Sequence, residues 1–265
     1  MSMLKYWVSS ALLAATLLGM SQGAWAEADP KLWPVVKEAF FANRTIEDAD
    51  FMQITGPKRA ESGAQVPITL SVDNSKGITI KKVYIIVDAN PIQLAATYHL
   101  TDLLGNLQLS TRIRMETDSY VRAIGEAADG KLYMANVVIR AAGGCGGTIE
   151  NDEAAVRASA GKIKMHVETP VKFGQATPTT FIIKHPMRTG LQRDLVSQGT
   201  IPAFYINKAT FSFNDKEVMA VDFGVGTSED PYLRFDFVPS APGVLEVKAT
   251  DNEGKAFEHQ IEVKS

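Results

Sequence analysis

The chain has 265 residues, enough for one large or two small domains at about 100 to 200 residues each. Its 27 Lys and Arg stand against 30 Asp and Glu, a net charge of -3 that argues against a nucleic-acid partner and for an ordinary solvated surface. A single cysteine, Cys145, rules out an internal disulfide, so its thiol is either free and reactive or paired with another molecule.

Lys5, an apolar run from Val8 to Met20 and Ala24-Trp25-Ala26 ahead of Glu27 read as a secretory signal peptide over residues 1–26. The run is too short to cross a bilayer comfortably, and no cysteine near the cleavage point offers a lipid anchor. No twin arginine precedes it, so the expectation is a Sec-type signal, delivery to the periplasm and no membrane anchor. Disulfides form in that compartment, where a lone thiol is conspicuous.

Asp29-Pro30 reads as an N-cap followed by a first-turn proline, with Leu32, Val35, Val36, Ala39 and Phe40 at helical spacing. From there to Arg140 the pattern is strand-like. Val66, Ile68, Leu70 and Val72 alternate with polar residues, as do Leu107, Leu109, Thr111, Ile113 and Met115 with partners that include Arg112 and Arg114. Residues 78–87 read as a deeply buried strand and 132–139 as the last one. Turn signals fall at Gly56-Pro57, Asp73-Asn74, Gly105-Asn106 and Asp129-Gly130. The implied fold is mainly β, an immunoglobulin-like sandwich over residues 27–147.

That last strand runs into Gly143-Gly144-Cys145-Gly146-Gly147. Glycine lets a backbone reach conformations closed to other residues and pass close to other surfaces, so the thiol is expected on a flexible arm of Gly143, Gly144, Gly146 and Gly147. A connector follows over 148–161, a short alanine-rich helix capped by Asn151 or Asp152 and ended by Gly161. Residues 162–265 read as a second immunoglobulin-like sandwich. Its strands fall near 180–183, 205–213, 218–223, 233–237, 244–249 and 257–263, with turns at Asn214-Asp215 and Asp251-Asn252-Glu253-Gly254.

The glycine strip is not a phosphate loop, because no Lys-Ser/Thr pair follows it and its spacing is not that of a dinucleotide fold. A thiol enzyme needs a histidine base, and His99, His166, His185 and His259 are all distant in sequence and lack zinc-site spacing. His185-Pro186-Met187 offers imidazole and thioether, which are copper ligands, but reads better as a loop or strand end, so neither metal nor cofactor is expected. Arg188 and Arg193 make that segment basic and are candidates for docking an acidic partner. What a single thiol on such a strip does best is covalent carriage. Its thiolate attacks electrophilic sulfur, and the adduct is released by a second attack, with Arg140 as a cation favouring the thiolate.

The Gly-Gly-Cys-Gly-Gly strip after the last strand of an exported β-domain resembles SoxY, the sulfur-carrying subunit of periplasmic thiosulfate oxidation. From about Lys162 the chain is similar to its partner SoxZ, through His185-Pro186-Met187-Arg188-Thr189-Gly190 with Arg193-Asp194, Ile206-Asn207-Lys208, residues 213–218 and residues 231–235. The chain as a whole resembles the fused SoxYZ-like carriers associated with quinoprotein dehydrogenases. In SoxY the strip is a free tail, whereas here a whole domain follows it.

The resemblance implies a non-enzymatic carrier of a sulfur intermediate, such as a persulfide on Cys145, with sulfur-oxidation enzymes or a quinoprotein dehydrogenase as partners. The alternative is a non-covalent structural partner of such a dehydrogenase, with Cys145 incidental or used for a disulfide-linked dimer. The secretory reading predicts that inactivating the general secretory channel leaves unprocessed precursor on an immunoblot; unchanged processing would refute it.

Overall fold

The computed structural model describes residues 28–149 and 152–265. The expected signal peptide and Asn151 lie outside the described residues. In chain order the elements are helix α1 (Leu32–Phe41), strands β1 (Ile46–Asp48), β2 (Met52–Thr55), β3 (Val66–Val72), β4 (Ile80–Val87), β5 (Leu94–Leu100), β6 (Leu107–Ile113), β7 (Ser119–Ala127), β8 (Leu132–Ile139) and β9 (Thr148–Ile149), and helix α2 (Glu153–Ser159). The second half adds β10 (Ile163–Val167), β11 (Thr177–Ile183), β12 (Arg193–Asp194), β13 (Ile206–Phe213), β14 (Lys216–Phe223), β15 (Tyr232–Phe237), β16 (Gly243–Asp251) and β17 (Ala256–Val263). The chain is mainly β with a short N-terminal helix and a short helical connector, as its alternation implies.

The two immunoglobulin-like sandwiches lie side by side and share both sheets. One sheet has the order β1-β8-β7-β4-β5-β14-β13-β16-β17 and the other β10-β11-β15-β6-β3-β2. They join where β5 pairs antiparallel with β14, Ala96 opposite Phe223, and where β6 pairs with β15, Leu109 opposite Phe235. Inward side chains of both halves form one apolar layer, which runs from Val66, Ile85 and Leu109 to Phe181, Phe211 and Phe235. Phe211 is fully buried and meets Phe181 and Phe235 edge-on, with ring centroids 5.0 and 5.1 Å apart.

Helix α1 covers the outer face of the larger sheet. Val36 and Phe41 bury against Ile86, Ile124 and Leu132, and Trp33 and Tyr84 flank them. The buried face therefore differs from the one the sequence spacing implies, since Val35 is 72% exposed and Phe40 also faces out. Two partners set the rotation: Phe41 meets Tyr84 edge-on at 5.3 Å, and the Trp33 ring lies 4.3 Å from the Arg122 guanidinium. This cover also explains why β5 and β7 escape a search for alternation. Both strands are buried on both faces, yet polar Thr97 in β5 and Arg122 in β7 stand among the buried residues, so no clean apolar–polar period marks them. Helix α2 starts as the sequence implies, with Asp152 accepting from the Ala154 and Ala155 amides at 3.0 and 3.1 Å.

Because one apolar layer spans both halves, damage in the second should unfold the first. Phe211→Ala is expected to cost about 3–5 kcal/mol. Trp33, the only tryptophan after residue 27, should report that loss in the same urea transition as circular dichroism. Separate transitions would show that the halves unfold independently.

Candidate functional site

The strip that carries Cys145 leaves β8 and is tied down at once. The Arg140 amide donates to Lys58 O at 3.1 Å and its carbonyl accepts from Ala60 N at 2.8 Å; the Ala141 amide then donates to Asp118 Oδ1 at 2.9 Å. Gly143 turns the chain with a left-handed φ of +70°, which favours glycine. Its amide donates to the Glu116 carbonyl at 2.9 Å, and the Gly144 amide donates to Met115 O at 3.0 Å. Gly144 is packed so closely that a Cβ would run into the Gly63 carbonyl oxygen. Glycine here supplies close approach as much as freedom.

Cys145 itself is 5% exposed. Its amide donates to Glu116 Oε2 at 2.8 Å, and its carbonyl accepts from Thr189 Oγ1 at 2.8 Å. Two residues on, the Gly147 carbonyl accepts from the Arg193 amide at 2.9 Å, and β9 pairs parallel with β12. The strip is thus fastened on one side by residues 114–116, just beyond β6, and on the other by the loop 185–193 of the second half.

Arg114 joins the two sides. It is buried, and its guanidinium donates to the carbonyls of Thr227 (3.3 Å), Gly144 (3.1 Å), Pro186 (3.4 Å) and Met187 (3.2 Å). Asn90, also buried, braces the same turn: its Nδ2 donates to Arg114 O at 2.8 Å and its Oδ1 accepts from Glu116 N at 2.9 Å.

This setting decides the state of the thiol. Burial first, and then the Glu116 carboxylate, push Cys145 up to about 11 from 9.0, while Arg114 pulls weakly the other way. The docked group is therefore a neutral thiol, whereas the nucleophile is the thiolate. Docking selects the protonated form, so its contribution is present below pH 9.0 and is lost as pH rises toward 11. The burial comes from other elements, not from the glycine neighbours, which explains how a cysteine flanked by glycines is enclosed.

Of the remaining residues singled out in the sequence, Gly143 and Gly147 are exposed, Gly146 is half-buried and Gly144 is buried. Arg188 is buried with its backbone paired to Phe204, so of the two candidate docking arginines only Arg193 presents its side chain at the surface. The charges that act on the thiol belong to Glu116 and Arg114, not to Arg140. His185 is buried; its Nδ1 accepts from Met187 N at 3.3 Å while its Nε2 is buried without a hydrogen-bond partner, and Met187 Sδ accepts from Ile206 N at 3.3 Å. Among the described residues, no cluster of three or more His, Cys, Asp or Glu is placed to hold a metal ion.

Glu116, Arg114, Thr189 and Asn90 form the site together with Cys145, and sequence reasoning did not assign them to it. Arg114 sits in an alternating strand pattern as a polar partner, which reads as solvent-facing. Glu116 lies 29 positions from Cys145 and carries no local signal.

Releasing one fastening should expose the thiol. Thr189→Val removes the hydroxyl that donates to Cys145 O, and iodoacetamide alkylation at pH 8, followed by intact mass, should accelerate by up to roughly 100-fold, the thiolate gain in a return from about 11 to 9.0. An unchanged rate would refute this role of Thr189.

Comparison with known proteins places these elements. The family model for sulfur oxidation protein SoxY matches residues 37–145, and that for sulphur oxidation protein SoxZ matches residues 163–262. Among solved structures, the sulfur carrier protein SoxY from Chlorobium limicola f thiosulfatophilum is 24% identical, covering 42% of this chain and 91% of that one at a TM-score of 0.36. A superoxide reductase (neelaredoxin) from Ignicoccus hospitalis is 21% identical, covering 43% and 87% at a TM-score of 0.31. A search of curated proteins found no significant match. With a SoxY domain that ends at the docked cysteine and a SoxZ domain that supplies the other wall of its site, the chain belongs to the sulfur oxidation proteins as a fused SoxYZ-like protein.

Proposed function

We propose that this protein is a periplasmic carrier, not an enzyme, in which Cys145 holds a sulfur-containing intermediate covalently and presents it to partner enzymes. The tandem SoxY and SoxZ domains support a place in sulfur oxidation. The observation that carries the reading is the mounting of Cys145, a lone thiol on a glycine strip held by separable hydrogen bonds rather than built into a strand.

In this reading the released thiolate attacks an electrophilic sulfur whose leaving group departs with the bonding electron pair, so that a sulfur–sulfur bond forms, and a second nucleophile later attacks the cargo and expels the Cys145 thiolate. The partners supply the catalytic groups, since the charges acting on the thiol come from a carboxylate and a guanidinium and not from a histidine base. Tethering at both ends limits the reach. Segment 140–147 lies between β8 and β9, and about four residues out and back extend roughly 13 Å at most. Partner active sites must admit a loop rather than a chain end.

One feature favours a second reading, a non-covalent partner of a periplasmic quinoprotein dehydrogenase. Leu191, on the loop that fastens the strip, and Leu195 and Val196, just beyond β12, are exposed, Val196 by 84%. An apolar patch there suits a protein partner with or without transfer of cargo.

Cys145→Ser separates the two readings. For a carrier, the variant keeps the fold and loses both the sulfur adduct, read by intact mass of protein from its own periplasm, and sulfur-dependent growth. Full function of the variant, with continued co-purification of a dehydrogenase, would leave the second reading standing.

A further inference from the structure

Glu116 holds the strip with two groups. Its backbone carbonyl accepts from Gly143 N at 2.9 Å and its side-chain Oε2 accepts from Cys145 N at 2.8 Å. Its position is set from behind by buried Asn90, which accepts from the Glu116 amide and donates to Arg114 O. A carboxylate is thus kept on the backbone amide of a cysteine that is 5% exposed, and its charge acts on the thiol.

The opposing cation compensates in part. Arg114 donates to four carbonyl oxygens, and its charge acts on Cys145 less than that of Glu116 does. Glu229 and Arg188 complete the charged surroundings by acting, with opposite sign, on Arg114. Burial and the Glu116 carboxylate both work against negative charge on the sulfur. A neutral thiol fits this seat; a sulfur cargo with an ionised end does not.

We propose that Glu116 is a positioning residue that keeps Cys145 docked while its sulfur is empty and expels the strip once that sulfur carries an anionic adduct. This rests on the carrier reading and adds a direction to it. The empty arm is stowed, and the loaded arm is presented to partners.

The test loads the full chain with two reagents of similar length, 2-sulfonatoethyl and 2-hydroxyethyl methanethiosulfonate. In each reaction the Cys145 thiolate attacks the sulfenyl sulfur, a disulfide bond forms, the bond to the sulfonyl sulfur breaks and methanesulfinate leaves with its electron pair. The thiol proton goes to solvent. Hydrogen exchange at the Gly143, Gly144 and Cys145 amides, read by mass spectrometry, should be about tenfold faster with the anionic adduct than with the neutral one.

Glu116→Gln keeps a carbonyl acceptor and removes the charge. In that variant the difference between adducts should shrink to less than roughly twofold, and the pH profile of alkylation of the free thiol should move to lower pH. Equal exchange for the two adducts in the wild-type protein would overturn the proposal, as would a charge difference that persists in Glu116→Gln. Exchange in β3 and β6 reports whether the variant folds, and if it does not, the comparison of adducts on the wild-type chain decides alone. Failure of the carrier reading is seen separately, as full function of Cys145→Ser.

Discussion

The structure depends on the pairing of β5 with β14 and of β6 with β15. Each of these strands would otherwise present an open edge, a row of unpaired backbone groups that invites association with other chains. Joining both edges at once makes two sheets continuous and lets one apolar layer run beneath them. It also brings residues 114–116, at the end of β6, up against the loop 185–193. The seat of Cys145 lies across that junction and exists only because the halves are side by side.

Fusion of the two halves into one chain changes what the glycine strip does. As a connector it is anchored at Arg140 on one side and at the β9–β12 pair on the other, and its middle is docked. Among the described residues, six hydrogen bonds hold residues 143–147: three from the amides of Gly143, Gly144 and Cys145 and three to the carbonyls of Gly144, Cys145 and Gly147. At about 0.5–1.5 kcal/mol net each, they are of the same order as the backbone entropy of about 1–2 kcal/mol per residue that ordering five residues costs. The hydrogen bonds thus offset much of the cost of ordering the strip.

Much of the architecture is legible from periodicity. Val66 to Val72 and Leu107 to Ile113 alternate because one face of each meets the core, and they form β3 and β6 where the pattern places them. Strands β5 and β7 are hidden because they are buried on both faces with polar Thr97 and Arg122 among the buried residues, so burial there does not follow an apolar–polar alternation. The rotation of α1 is likewise set by Tyr84 and Arg122, which its own sequence does not contain.

The lone thiol and its glycine neighbours are properties of the sequence by itself, because they need no partner to be recognised: one cysteine, four glycines and a strand pattern that ends just before them. So are the β class and the two halves, since alternation and turn residues are local. Only the tertiary structure decides that the halves share their sheets, that Arg114 is buried rather than solvent-facing, and that Glu116 and Thr189 grip Cys145 from opposite sides. Strand pairing, burial and the charge around a thiol are set by residues distant in the chain. No local pattern encodes which of them will meet.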